Sequence, residues 1–371
     1  MPHSPKRSLS VLHLSSEKSW RGGEQQIAYL IEELNQKDVK NVVACQKGSA
    51  FEVFCQQKQW AYYNLSFKGS FDLSTSLGIN KICKQEKIDL IHIHSAKSHG
   101  LAVLSHVLGN STPLILSRRV DFPVRDNFLT QWKYNHPAIK KIICVSHAIE
   151  KIVRSNIKYP DKCLTIHSGI DIARFKHSKG YLRKTFQIPN DYILVGNTSA
   201  LAGHKDYPTF IRTAEILRQQ NIKAHFFMIG DGPDKEILQN MISEKNLGDH
   251  ISMTGFMNNI PEILPELDIF LMPSETEGLG TSILDAFACK VAVVATRAGG
   301  IPEMVIHEKT GLLAEIKDVQ SLAAHIYQLI TEPSLREKLV ESAYLHLLKN
   351  FTKESMSART LEIYHDILKH H

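Results

Sequence analysis

Short apolar runs recur along this chain, each followed by a stretch with helical spacing. In the amino-terminal half they fall at Leu9–Leu14, Val42–Cys45, Ala61–Leu65, Leu90–His94, Pro113–Ser117, Ile142–Val145 and Leu164–His167. Runs so continuous predict strands buried on both faces of a parallel sheet. Between them lie amphipathic stripes such as Ile27, Leu30, Ile31 and Leu34, which predict a helix over Glu24–Asn35. A second alternation opens at Tyr192, with strands predicted at Ile193–Asn197, His225–Ile229, Ile251–Met253, Ile269–Met272, Val291–Ala295 and Leu312–Glu315. After Val319 only helical spacing remains, and the last helix, Thr352 to about Lys369, comes too late to complete the second sheet. The fold class is therefore α/β, with two doubly wound, Rossmann-like domains. The charged, apolar-poor segment Gly169–Asn190 reads as their linker.

Open α/β sheets bind ligands at the carboxyl ends of their strands, so two such domains are expected to face a central cleft. The richest strand end is Pro273 to Ala286, where Glu277 and Asp285 stand eight positions apart around a small-residue turn. Gly278, Leu279 and Gly280 there lead into a helix N-terminus, whose free amides and dipole favour an anion such as a phosphate. Two acids around a phosphate seat suit a ligand with hydroxyls on both sides of a diphosphate, a nucleotide sugar. Gly22-Gly23, after the first strand, is a second phosphate-approach turn; it lacks the spacing of a dinucleotide loop and the lysine of a P-loop. Lys205, where the helix after Ile193–Asn197 begins, can hold a phosphate as a point charge.

Other strand ends leave two readings open. Gly230-Asp231-Gly232-Pro233, Gly255 and Gly299-Gly300 serve either close packing to a ring or a tight turn. His92 and His94 share a face by the two-residue period. A metal there needs a third ligand that the sequence does not place, so His94 is either a sugar or phosphate contact or a structural histidine. Arg118 and Arg119, with Arg125 nearby, suit phosphate or carboxylate recognition, against ion pairing with Asp121 or Asp126.

A net charge of +6 is too mild to imply nucleic acid; it fits anionic substrates or an anionic membrane face. The six cysteines lack Cys-x-x-Cys spacing and read as reduced, mostly buried thiols without a metal. No apolar run is long enough to span a bilayer. Lys6 and Arg7 precede only the short run Leu9–Leu14, which is too brief for a signal peptide and predicts a cytoplasmic protein.

With these motifs in place the chain resembles the retaining glycosyltransferases of family 4, which have the two-domain GT-B fold. The resemblance rests on Gly22-Gly23, His92 to Ser95, Val145-Ser146-His147-Ala148-Ile149, Ser168-Gly169-Ile170-Asp171 with Arg174-Phe175, Lys205-Asp206, Gly230 to Pro233, Pro273 to Gly280, and Gly299 to Glu303. It implies that the last helix crosses back onto the first domain, giving domains 1–175 with 353–371 and 176–352. It further implies that Glu277 contacts the donor sugar, Asp285 holds the ribose, Lys205 grips the diphosphate, and Gly22 and Gly23 lie near diphosphate and acceptor. Asp285 is one methylene shorter than the family's usual Glu, and an arginine usually found five positions before the lysine is Ala200. Arg118 or Arg119 is the expected substitute cation.

The reading is a metal-independent, cofactor-free hexosyltransferase acting with retention. Its expected catalytic residues are Glu277, Lys205 and His94; its donor-binding residues are Gly22, Gly23, Gly278, Leu279, Gly280, Asp285, Gly232, Arg118 and Arg119. The expected partners are a nucleotide-diphosphate sugar, a glycan or lipid-linked acceptor of surface polysaccharide synthesis, and the anionic inner membrane face, with no nucleic acid. A nucleotide-sugar epimerase of related fold and a non-catalytic sugar-nucleotide scaffold are the competing readings. Sugar, base, acceptor and linkage are not legible.

Overall fold

The computed structural model describes residues 8–69, 71–175 and 180–369. Lys6 and Arg7, and the stretch 176–179 of the expected linker, lie outside the described residues. The chain forms two compact units, Met1–Gly169 with Lys353–His371, and Ile170–Thr352.

The first unit is built on strands β1 (Ser10–Ser15), β2 (Lys40–Gln46), β3 (Tyr62–Leu65), β4 (Leu90–Ile93), β5 (Leu114–Arg118), β6 (Ile139–Cys144) and β7 (Cys163–Thr165). They pair in parallel in the order β3-β2-β1-β4-β5-β6-β7. The second unit carries β8 (Ile193–Thr198), β9 (Ala224–Ile229), β10 (Ile251–Gly255), β11 (Ile269–Met272), β12 (Ala292–Thr296) and β13 (Leu312–Ala314), parallel in the order β10-β9-β8-β11-β12-β13. Each apolar run read in the sequence is a strand, with ends differing by at most three residues. β1, β4, β5, β9, β11 and β12 are buried along their whole length, as sheets covered on both faces require.

Each order reverses once, between β1 and β4 in the first sheet and between β8 and β11 in the second. At such a switch point the loops leaving neighbouring strands diverge to opposite faces and open a crevice. The loops that carry most of the chemistry follow these four strands.

The helix after β1 spans Gly22–Asn35, starting two residues earlier than its apolar stripe suggests. Ile27, Leu30, Ile31 and Leu34 are buried as expected. The last helix, Lys353–Lys369, joins the first unit: Met356, Tyr364 and Ile367 pack into one cluster with Val11, Tyr29, Leu30, Leu90 and Ile115. Its helical spacing aims these side chains at one face, which packs into this cluster.

The expected linker is not all loop. Tyr181–Phe186 is helical, Leu182 is fully buried, and the amides of Tyr181 and Leu182 donate to the Glu266 carboxylate at 2.5 and 2.8 Å. One buried leucine and a distant acid capping the helix start were enough to order a segment whose composition looked apolar-poor.

Candidate functional site

In the second unit the β8 and β11 loops bring Lys205 and Glu277 together. β8 ends at Thr198; a turn at Gly203–Lys205 follows, then Asp206 takes a left-handed φ of 47° and caps helix Tyr207–Gln219 through the amide of Thr209. This corner fixes where Lys205 stands. Its Nζ lies 2.5 Å from Glu277 Oε1, with the side chains 15% and 8% exposed. Ser274 Oγ donates to the same carboxylate oxygen at 2.8 Å. A largely buried ion pair at a switch point is costly to desolvate and is weak as a stability device. Its placement is better suited to meeting a ligand.

The surrounding turns are shaped by close backbone contacts. Gly299 has φ +51°, and a Cβ there would lie 1.9 Å from the Glu277 carbonyl oxygen, which accepts the Gly300 amide at 3.1 Å. A Cβ on Gly232 would lie 2.3 Å from the Leu201 carbonyl oxygen, in the loop leading to Lys205. Both glycines are therefore tight-turn residues that brace the two site loops. Gly232, expected to bind donor, has its Cβ position occupied by the Leu201 backbone, which shapes the Lys205 loop. Leu279 is likewise buried at 3% exposure, so its side chain faces the core and only its backbone can serve a ligand. Gly280, at φ +88°, opens helix Thr281–Ala288, whose N-terminus follows β11 and points to the carboxyl edge.

Asp285 lies on that helix. Its Oδ1 is sealed from solvent and has no hydrogen-bond partner. Burial raises its pKa from 3.8 to about 6, with the Arg174 charge opposing. An acceptor oxygen held empty in this way is a place for a hydroxyl donor.

In the first unit, Gly22 and Gly23 begin the helix after β1, as expected for an anion-facing turn. Below them a polar cluster joins the ends of β1 and β4. Ser16 Oγ lies 2.7 Å from Ser95 Oγ, which lies 2.8 Å from Ser98 Oγ, and Ser15 donates to the buried Glu24 carboxylate at 3.1 Å. His94 stands immediately after β4. The structure supplies the third histidine that the sequence left unplaced: His13 on β1 is register partner of His92. His13, His92 and His94 bring ring nitrogens within 4.8 Å of one another.

These residues do not fit a metal. His92 bonds Tyr364 Oη at 2.5 Å and Ser117 Oγ at 2.8 Å. His13 bonds His94 at 3.1 Å and Asn41 Oδ1 at 2.9 Å, and His94 Nδ1 faces Arg119 Nη2 at 3.4 Å. Every ring nitrogen has a partner, so none offers a lone pair to an ion. The partners also assign the protons. Asn41 Oδ1 can only accept, so His13 carries its proton on Nε2 and accepts on Nδ1. His94 then donates from Nε2 and accepts from Arg119 at Nδ1. Burial drives all three pKa values down, His13 to about 4, so the rings are neutral. His94, expected to be catalytic, has both nitrogens committed in this network and holds Arg119.

The two arginines separate. Arg118 is buried; Nη1 donates to Tyr134 Oη at 2.9 Å, Nη2 donates to the Phe122 carbonyl, and the guanidinium lies 4.8 Å from the Phe122 ring centroid. Arg118, expected to bind donor, has both terminal nitrogens engaged by its own strand-end loop. Both arginines keep sealed nitrogens without partners: Nε in Arg118, and Nε and Nη1 in Arg119.

His13, Asn41 and Tyr364 escaped the sequence reading. His13 stands inside the apolar run Leu9–Leu14; a histidine inside a strand buried on both faces is itself a signal, because it must find partners.

Comparison with known proteins agrees with this architecture. Residues 20–174 match the Glycosyltransferase Family 4 profile, and residues 179–346 match the profile of Glycosyl transferases group 1. The N-acetyl-alpha-D-glucosaminyl L-malate synthase of Bacillus anthracis is 24% identical over 81% of this chain and 80% of its own. An uncharacterized glycosyltransferase of Methanocaldococcus jannaschii is 29% identical over 81% and 82%. A glycosyltransferase of Rickettsia africae superposes with a TM-score of 0.86 at 20% identity, covering 98% of this chain and 99% of its own. Anabaena HepE, solved with UDP and glucose, superposes at 0.83 with 19% identity, covering 96% and 99%. The fold is GT-B.

Proposed function

The chain is a glycosyltransferase, a Family 4 domain followed by a group 1 domain, and on that premise we propose that it moves a hexose from a nucleotide-diphosphate sugar to a glycan or lipid-linked acceptor with retained configuration. The observation that carries this reading is the Lys205–Glu277 pair at the β8–β11 switch point. Without donor, each charge neutralises the other. A bound diphosphate would draw Lys205 away and leave Glu277 free to accept hydrogen bonds from sugar hydroxyls. Lys205 and the N-terminus of helix Thr281–Ala288 would then stabilise the leaving diphosphate as charge builds on it. Asp285 Oδ1 would accept from a ribose hydroxyl.

The sequence contains no Asp-x-Asp, and the proposed charge balance uses protein cations and amides. HepE, bound to UDP-glucose in another crystal, supports a nucleotide-sugar donor. A relative named as a colanic acid biosynthesis glycosyltransferase in Salmonella typhimurium supports a role in surface polysaccharide synthesis. Among the described residues no helix is long and apolar enough to cross a membrane; we place the protein in the cytoplasm, touching the anionic inner membrane face where a lipid-linked acceptor would be presented.

The test is turnover of a nucleotide-sugar panel with and without added glycan acceptors, following nucleoside diphosphate release and the anomeric configuration of the product. Glu277→Gln should lower turnover about a hundredfold or more with the fold intact. Near wild-type turnover in that variant, or an inverted product, would overturn the mechanism; epimerised donor without transfer would favour an epimerase.

A further inference from the structure

The three neutral histidines tie the first unit together at its switch point. His13 comes from β1, its partner Asn41 from β2, and His92 and His94 from β4 and the residue after it. His92 reaches Ser117 on β5 and Tyr364 on the last helix, and His94 reaches Arg119 just after β5. His13 and His92 are each 1% exposed, while His94, at the strand end, is half-buried and is where a proton would enter. The His92 and His94 ring centroids are 4.0 Å apart.

These bonds fix what a proton would do. His13 Nδ1 accepts from His94 Nε2, so a proton there sets N–H against N–H at 3.1 Å. His94 Nδ1 accepts from Arg119 Nη2, so a proton there breaks the 3.4 Å tie to the guanidinium. The Tyr364 and Ser117 hydroxyls can turn to accept from His92, but a charge on that ring stands against His13 and Arg119 away from water. The titratable groups facing the rings are Arg119 after β5, Tyr364 on the last helix and, through its attraction to Arg119, Glu24 on helix Gly22–Asn35. Arg119 and Glu24 already offset one another, and no carboxylate bonds a ring nitrogen among the described residues. Any added proton is therefore a net positive charge with nothing to balance it.

We propose that this cluster is an acid-sensitive lock on the first unit: neutral rings hold β1, β4, β5 and the last helix together, and protonation releases Arg119 and opens the unit. The lock does not depend on the transferase reading. An unfolded histidine takes its proton near 6.5, whereas folded His13 takes it only near about 4, and His92 and His94 also lie well below the ordinary value. The stability of the cluster is thus fully present above about pH 6.5 and is lost as pH falls below it. His13 alone should lower the ratio of folded to unfolded chains about thirtyfold between pH 7.5 and pH 5. With all three rings the loss should be about a thousandfold or more.

All three tryptophans, Trp20, Trp60 and Trp132, belong to the first unit, so their fluorescence reports on it. The test is urea unfolding of the full chain at pH 7.5 and pH 5, followed by tryptophan fluorescence and by far-ultraviolet circular dichroism. Wild type should lose about a thousandfold or more in the fluorescence-detected folding ratio between the two. His13→Gln cannot titrate, yet its amide can donate to Asn41 while its carbonyl oxygen accepts from His94. Its loss over the same interval should be about thirtyfold smaller. An equal loss in wild type and variant would overturn the lock. So would an acid loss seen by circular dichroism and not by fluorescence, which would belong to the second unit. Ring-nitrogen magnetic resonance of wild type decides the matter even where the variant does not fold. At pH 6 the His13 and His94 rings should be neutral with the proton on Nε2, and a charged ring at either position would overturn the proposal.

Discussion

Replacing Asp285 by Asn should make the protein more stable and bind nucleotide less well. The folded-state pKa of Asp285 is about 6 against an ordinary 3.8. The gap is a little over two pH units, each worth about 1.4 kcal/mol. Between about pH 4 and pH 6 the folded chain keeps a proton that the unfolded chain has released. Rising pH therefore favours unfolding across this window, and the full cost, about 3 kcal/mol, stands above it. Asn removes the charge but leaves an unpaired amide in the same place, so the net gain should be about 2 kcal/mol at pH 8, falling through zero between pH 4 and pH 6 to a small loss near pH 4. Urea unfolding of wild type and variant at pH 5 and pH 8 measures this directly. Binding of UDP and GDP, titrated at pH 8, should weaken by about 1–3 kcal/mol for whichever nucleotide wild type prefers. A variant no more stable than wild type at pH 8 would refute the claim that Asp285 is held desolvated and unsatisfied. Unchanged nucleotide affinity would refute its ribose role.

Gly299→Ala should destabilise the second unit by at least about 3 kcal/mol and abolish turnover, since its Cβ collides with the Glu277 backbone; near wild-type melting would show the turn can shift. Tyr364→Phe should cost about 1–2 kcal/mol through its bond to His92, with catalytic constants unmoved, as thermal unfolding and steady-state kinetics would show. Lys205→Met leaves Glu277 buried without its partner and should cost about 3–5 kcal/mol, while the double variant with Glu277→Gln should recover most of that loss in denaturant unfolding.

The strands were most legible where they are buried on both faces, which forces continuous apolar runs such as Ile269–Met272. Glu277 and Lys205 were legible because both follow such runs, and strand order then made them neighbours. What sequence could not supply was who satisfies whom. Arg118 and Arg119 are adjacent and chemically identical; one is held by Tyr134 and Phe122, and the other by His94. His94 looked like a contact residue because His13 and Asn41, distant in sequence, were not seen as its partners. The glycines divide by backbone approach: Gly232 and Gly299 are explained by carbonyls of Leu201 and Glu277, contacts between loops that no spacing rule reports. Leu182 ordered part of a supposed linker by a single buried side chain.

The most direct test of the central claim, that the second unit holds a nucleotide sugar at the Lys205–Glu277 pair, is a melting-temperature screen of wild type and Lys205→Ala/Glu277→Ala against UDP-, GDP- and ADP-sugars. A ligand that binds only the native state raises its stability by mass action, by about 2.7 kcal/mol at a hundredfold excess over its dissociation constant. The account predicts that at least one donor raises the melting temperature of wild type and that the same donor leaves the double variant's unchanged. An equal rise in both would contradict it, as would no rise with any donor.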